Sequence, residues 1–215
     1  LSLRRQRQMC IRDRHSIDGG SLKFDYFSPD EKNRLSVFAS AANTDRDSYY
    51  GPGNDPLKAY GKTTDLTAMG GAQYVHTFDK CFFMPSDLTA GLEYNRDRLK
   101  DNMWGYNRHT DQTVNIYSAF LQNEWKNDRW GILIGGRLDK HNMVDNVIFS
   151  PRANLRFNPT QNINLRLSYS SGFRAPQAFD EDMHIENVGG TVAMIERAKD
   201  LKEEKSQSFS ASADM

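Results

Sequence analysis

The chain of 215 residues lacks most of the features by which enzymes and nucleic-acid-binding proteins are recognised. It has two cysteines, Cys10 and Cys81, too few for a disulfide framework or a zinc site. Cys81 stands beside Phe82 and Phe83 and reads as a turn residue. The five histidines are His15, His76, His109, His141 and His184, and no two share the helical spacing of a metal-binding HExxH. His76, between Tyr74 and Phe78, reads as an interfacial residue rather than a ligand. GxSxG, P-loop and GxGxxG patterns are missing. Gly51-Pro52-Gly53-Asn54 and Gly70-Gly71 lack the following helix that phosphate cradling needs. There is no surplus of either charge, with Lys plus Arg and Asp plus Glu both at 28; the basic footprint of a nucleic-acid binder is therefore absent. No run approaches the roughly 18 to 20 apolar residues of a membrane helix. A hydrophobic content of 38% excludes a helical membrane protein. These absences leave no enzyme constellation and imply no cofactor.

What the chain does have is alternation. Between Ile148 and Pro176 two strands meet at the polar turn Pro159 to Asn162. In the first, Ala153, Leu155 and Phe157 share one face and Arg152, Asn154 and Arg156 the other. In the second, Leu165, Leu167 and Tyr169 oppose Asn164, Arg166 and Ser168. Side chains alternate across a strand, so each strand has an apolar wall and a wet, cationic wall. An apolar outside and a polar inside is the pattern of a transmembrane β-barrel. Mean hydropathy, at −0.74, is blind to it, because only every second residue faces lipid. Aromatics at 11% suit the interfacial girdles of such a protein.

About nine candidate strands follow one another. Compact turns are expected near 28–33, 79–85, 126–129 and 159–162, and a short connection at 144–147. Long polar loops are expected near 43–63, 97–110 and 172–205, with the first strand beginning at Ser21 and a short helix over Val192–Leu201. Short turns on one side and long loops on the other are the outer-membrane arrangement, the loops lying outside the cell. Trp125 and Trp130 flank one turn, where a lipid–water interface favours amphipathic rings. Between Val114 and Trp125 both faces hold apolar residues; Tyr117, Leu121 and Trp125 are assigned to lipid. The basic, unpatterned Leu1–Arg14 has no apolar core of signal-peptide length. It resembles translated adapter read-through and is expected to be non-native, leaving residues 15–215 as the barrel portion.

The stretch Ser150–Pro176, SPRANLRFNPTQNINLRLSYSSGFRAP, resembles the late-barrel segment of TonB-dependent outer-membrane receptors. Gly135-Gly136-Arg137-Leu138-Asp139 before it and Leu201-Lys202-Glu203-Glu204-Lys205-Ser206 after it fall where that family places similar phrases. Ala175 to Asp182, then His184-Ile185-Glu186 and Gly189-Gly190, look like the Bacteroidetes branch. The resemblance implies an all-β fold: a partial antiparallel transmembrane barrel of about nine strands from a presumed 22, without its plug domain. It implies residence in the outer membrane of a Gram-negative bacterium, in contact with its lipid. It also implies energised uptake of a scarce ligand, such as a ferric siderophore, haem, cobalamin or a glycan. Energy would come through the TonB complex, engaged by a region N-terminal to this stretch.

Three sets of residues are candidates for handling a small-molecule or metal-chelate ligand. Arg137, Arg152, Arg156 and Arg166 form an inward, lumen-facing row, whose plainer role is to pair with carboxylates. Tyr49, Tyr50, Tyr60, Trp104 and Tyr106 are loop aromatics suited to stacking. Asp180, Asp182 and His184 could meet a metal complex from the third loop. The rival readings are a passive porin or adhesion barrel without energy coupling, and a soluble β-sandwich.

Overall fold

The computed structural model describes residues 10–51, 60–104, 108–177 and 202–214. They form nine strands: β1 (Cys10–Phe27), β2 (Asn33–Gly51), β3 (Tyr60–Cys81), β4 (Met84–Met103), β5 (Arg108–Lys126), β6 (Trp130–His141), β7 (Ile148–Thr160), β8 (Ile163–Arg174) and β9 (Glu204–Asp214). Each strand pairs antiparallel with the next, giving one sheet in sequence order. No α-helix occurs among the described residues, and the sheet is not closed.

The four compact turns lie where alternation breaks. Residues 28–32 join β1 to β2, with Ser28 donating its backbone N–H to the Asn33 carbonyl at 2.9 Å. Asp30 accepts from the Ser28 hydroxyl and, at 3.1 Å, from the Lys32 backbone N–H. These donors hold its carboxyl below the ordinary carboxylate range. Lys32 reaches Asp79 on the neighbouring strand at 2.5 Å, which raises its pKa. Phe82 and Phe83 turn β3 into β4, Phe82 at a φ of 63°. That value is costly for a bulky side chain.

One face carries a continuous apolar band. Cross-strand partners share a face, so the register fixes its membership. Leu22, Phe24 and Tyr26 lie beside Ala39, Val37 and Leu35. The row continues through Tyr74 and Ala72, then Ala90 and Leu92, then Leu121 and Ala119. It ends in Ile132, Ile134, Ala153, Leu155, Leu167, Tyr169, Phe209 and Ala211. Most of the exposed large apolar side chains belong to this face. Tyr117, Leu121 and Trp125 lie on it, and Ile116 and Phe120 lie opposite. On β6 the band runs from Trp130 to Leu138, roughly 30 Å of strand. These nine positions are the length of a tilted membrane-spanning strand, about 9–11 residues. Rings mark its lower edge: Trp125 stacks on Phe83 at 5.6 Å, and Trp130 on Phe157 at 4.2 Å.

Above the band the polarity of the two faces inverts. On β4 the outward positions change from Leu88, Ala90, Leu92 and Tyr94 to Arg96, Arg98 and Lys100. The opposite face changes from Asp87, Thr89 and Glu93 to Leu99 and Met103, both fully buried together with Val114 of β5.

Two expectations need correction, and a third is not reached by the described residues. Most of 43–63 and 97–110 is strand rather than loop, since β2 runs to Gly51, β3 starts at Tyr60, β4 ends at Met103 and β5 starts at Arg108. The first strand starts at Cys10, so Cys10 to Arg14 pair with Gly51 to Asp47. In these arms polar residues occupy the band's side and apolar ones such as Leu99, Met103 and Val114 are interspersed with polar ones on the other, so the alternation of the band is lost, yet the backbone ladder continues through them. The expected helix at Val192–Leu201 lies outside the described residues.

Leu167→Arg, on the band, is expected to destabilise the complete barrel in lipid vesicles by about 2–4 kcal/mol. Ser168→Arg, on the other face, is expected to cost far less. Denaturant titration of both variants checks this, and equal costs would refute the assignment of faces.

Candidate ligand-facing wall

The face opposite the band is polar and cross-linked by charge. Arg137 of β6 is its central cation. It pairs with Glu93 of β4, donates from Nε to Asp139 Oδ1 at 2.8 Å, and reaches the Ser118 hydroxyl at 2.8 Å. Ser118 donates in turn to Asp139 at 2.6 Å. One arginine thus ties together β4, β5 and β6. Its planar fork suits two carboxylates at once, which a lysine could not match.

A second network lies higher, between the arms. Arg46 of β2 donates to the Thr63 hydroxyl at 3.0 Å, and Thr63 donates to Asp101 at 2.7 Å. Arg108 closes it with a 2.8 Å bond from Nε to Asp101. The Arg108 and Asp101 side chains are 6% and 0% exposed, so their ion pair offsets part of the solvation that both charges have lost. Nearby, fully buried His141 accepts the Met143 backbone N–H at 3.0 Å and lies 3.1 Å from the Gln177 side-chain oxygen. Val144, Ile148 and Ala175 pack beside it, with Phe173 against them. This holds the β6–β7 connection to the root of the segment that follows β8.

Between these strands lies a concavity of about 440 Å³, with Gln73, Glu93, Phe120, Gln122, Arg137 and Arg152 among its lining. Gly91 lies under the Phe120 ring and Gly71 under Phe38, so a Cβ at either would clash. A shallower hollow of about 320 Å³ holds Glu124, Arg156 and Arg166. Among the described residues no cluster of His, Cys, Asp and Glu is arranged to hold a metal ion.

The sequence-expected residues separate into three groups. Arg137, Arg152, Arg156 and Arg166 all lie on the face opposite the band. Arg137 is fully committed to its carboxylates. Arg156 donates to the Asn127 carbonyl at 3.2 Å, and Arg166 stands 3.8 Å from Asp214. Arg152 makes no ion pair among the described residues. Tyr49 and Tyr60 are not loop residues: they end β2 and β3, face each other across the ladder with rings 5.0 Å apart, and share the band's face. Tyr50 lies on β2 beside Ile11 in the ladder, and Trp104 is exposed just after β4. Tyr106, Asp180, Asp182 and His184 lie outside the described residues. Sequence reasoning missed Glu93, Asp139, Ser118 and the Arg46–Asp101–Arg108 set. The one available signal was a charged residue in phase with the polar face.

The family profile described as TonB dependent receptor-like, beta-barrel matches residues 5–215. The chain belongs to the TonB-dependent receptor family. Solved structures agree on the fold. The siderophore receptor PirA from Acinetobacter baumannii superposes with a TM-score of 0.72 at 18% identity, over 94% of this chain and 32% of that one. PirA from Pseudomonas aeruginosa gives 0.72 at 13%, over 94% and 37%. The ferric citrate transporter FecA, in its unliganded form, gives 0.59 at 14%, over 94% and 32%. This TonB-dependent receptor chain therefore spans about a third of the length of the structures it matches. Comparison with curated proteins gives no match.

Asp101→Ala is expected to destabilise the barrel by about 3 kcal/mol, because it leaves the buried Arg108 without its carboxylate. Asp101→Asn, which still accepts from Thr63, is expected to cost less. Unfolding free energies of the two variants check this, and a neutral Asp101→Ala would show that the network does not hold the arms together.

Proposed function

We propose that these nine strands are part of the wall of an energised outer-membrane transporter, which takes up a scarce, bulky ligand of the siderophore or metal-chelate class. The protein would lie in the outer membrane of a Gram-negative bacterium and draw energy from the inner membrane through TonB. The observation that carries this reading is the pairing of a continuous apolar band with an opposite face built from arginine–carboxylate networks. A water-filled pore needs only a polar lining. The Arg46–Thr63–Asp101–Arg108 and Arg137 networks are more than that, because they brace the wall and its arms as one stiff unit. The siderophore receptors among the structural neighbours support the ligand class.

Within that wall, Arg152 is the arginine proposed to meet the ligand, since it borders the 440 Å³ concavity and makes no ion pair among the described residues. Arg137 is the brace. Tyr49, Tyr60 and Trp104 would act only from the tips of the arms.

The decisive experiment places the complete gene in an iron-starved strain that lacks its own siderophore receptors, with and without TonB. Uptake of radiolabelled iron chelates should vanish when TonB is removed. Uptake that persists would identify a passive pore. In the same assay Arg152→Ala should weaken uptake of an anionic chelate several-fold with barrel stability unchanged, whereas Arg137→Ala should lower stability first. Long-read sequencing of the native gene checks two further expectations: a plug and TonB box encoded upstream, and a foreign origin for Leu1–Arg14.

A further inference from the structure

Above the apolar band, Asp97 of β4 lies on the polar face, in phase with Glu93 below it and Asp101 above. Both of those carboxylates are committed, Glu93 to Arg137 and Asp101 to Arg108 and Thr63. Asp97 is not. It is half-buried, yet it accepts no hydrogen bond and makes no ion pair among the described residues.

Its surroundings explain why that is costly. Across the ladder Asp97 meets Thr67 of β3 and Val114 of β5. Asp65 and Met69 occupy the diagonal positions on β3, and Gln112 and Ile116 those on β5. Val114 and the next inward residue of β4, Leu99, are buried. Burial among these groups pushes the Asp97 carboxyl above the ordinary carboxylate range. No cation stands at any of these positions, and the titratable group among them, Asp65, is a like charge. A half-buried carboxylate in this setting lowers stability until a partner reaches it.

We propose that Asp97 recognises a protonated amine carried by the ligand. The inference rests on the reading of the polar face as a ligand-facing wall. An ammonium group supplies both things the carboxylate lacks, an opposite charge and N–H donors. A hydroxyl would supply only a donor, and an anionic group would be repelled. Register places Asp97 well above Arg152. Arg152 stands level with Gly135, Gln122 and Thr89, which puts it about 27 Å of strand below Asp97. The two positions therefore act in succession on the way in, Asp97 first.

The test uses the complete receptor, purified in detergent, and two probes that differ by one charge. Ferrioxamine B ends in an ammonium group, and its N-acetylated form is neutral there. Calorimetric titration measures both at neutral and at acidic pH. At neutral pH the receptor should bind the ammonium form about tenfold more tightly, as expected of one charge-assisted hydrogen bond. The preference should fall on acidification, because a carboxyl with a raised pKa is neutralised early. Asp97→Asn should bind the two probes equally at either pH. Burial already favours the neutral form, so this variant should be at least as stable as the wild type, whereas a merely structural role would lower stability and leave the preference intact. Thr67→Lys, which offers an internal ammonium group from the opposite position on β3, should also abolish the preference; it decides the matter if Asp97→Asn does not fold. Equal binding of the probes by the wild type, failure of both to bind, or a preference that survives these variants would overturn the proposal. Uptake that needs no TonB would instead overturn the transporter reading and leave the charge preference as measured.

Discussion

The structure depends on one constraint: a backbone passing through hydrocarbon must find every hydrogen-bond partner within the protein. A strand cannot do that alone, so each of the nine is hydrogen-bonded to the strands next to it in sequence. The ladder then imposes a two-residue period on everything else. Band, girdles and polar wall all follow from which side of the ladder a residue number falls on.

The ladder fixes where side chains point, but not the stiffness of the sheet across its strands. That comes from the polar face. Arg137 gathers Glu93, Asp139 and Ser118 from three neighbouring strands, and Asp101 gathers Thr63 and Arg108, with Arg46 behind Thr63. On a lipid-facing surface such charges would cost about 2–4 kcal/mol each at the midplane. Here they are compensated by one another, and deleting a single member costs more than the pair as a whole contributes. The networks are thus better understood as specifying curvature and strand position than as a large source of net stability.

How much of this was legible in the sequence depended on the environment of each residue. The band was legible because lipid enforces alternation: Leu155 opposite Arg156 and Leu167 opposite Arg166 can be read from the letters alone. The arms were not, because above Tyr94 the band's side turns polar and the other face mixes Leu99, Met103 and Val114 with buried polar residues, so the band's alternation is lost although the ladder continues. Residues 43–51 and 97–103 therefore looked like loops. The placement of Tyr49 and Tyr60 on strand ends, rather than on free loops, follows from the same effect. The four inward arginines were legible as a row, but not their inequality. Arg137 finds Glu93 across 44 residues of sequence, a pairing set by register between distant strands that no local pattern encodes.

That inequality separates recognition from architecture. A guanidinium held by two carboxylates has its charge neutralised and its donors occupied, so it offers an incoming ligand little. Recognition must fall to groups that the fold leaves uncommitted. On the wall this is the basis for proposing Arg152, which lines the 440 Å³ concavity without an ion pair among the described residues. Satisfaction of a charge within the protein is the feature that divides the two roles. It explains how walls built on one ladder can serve different ligands: the braces stay fixed, and only the uncommitted positions need to change.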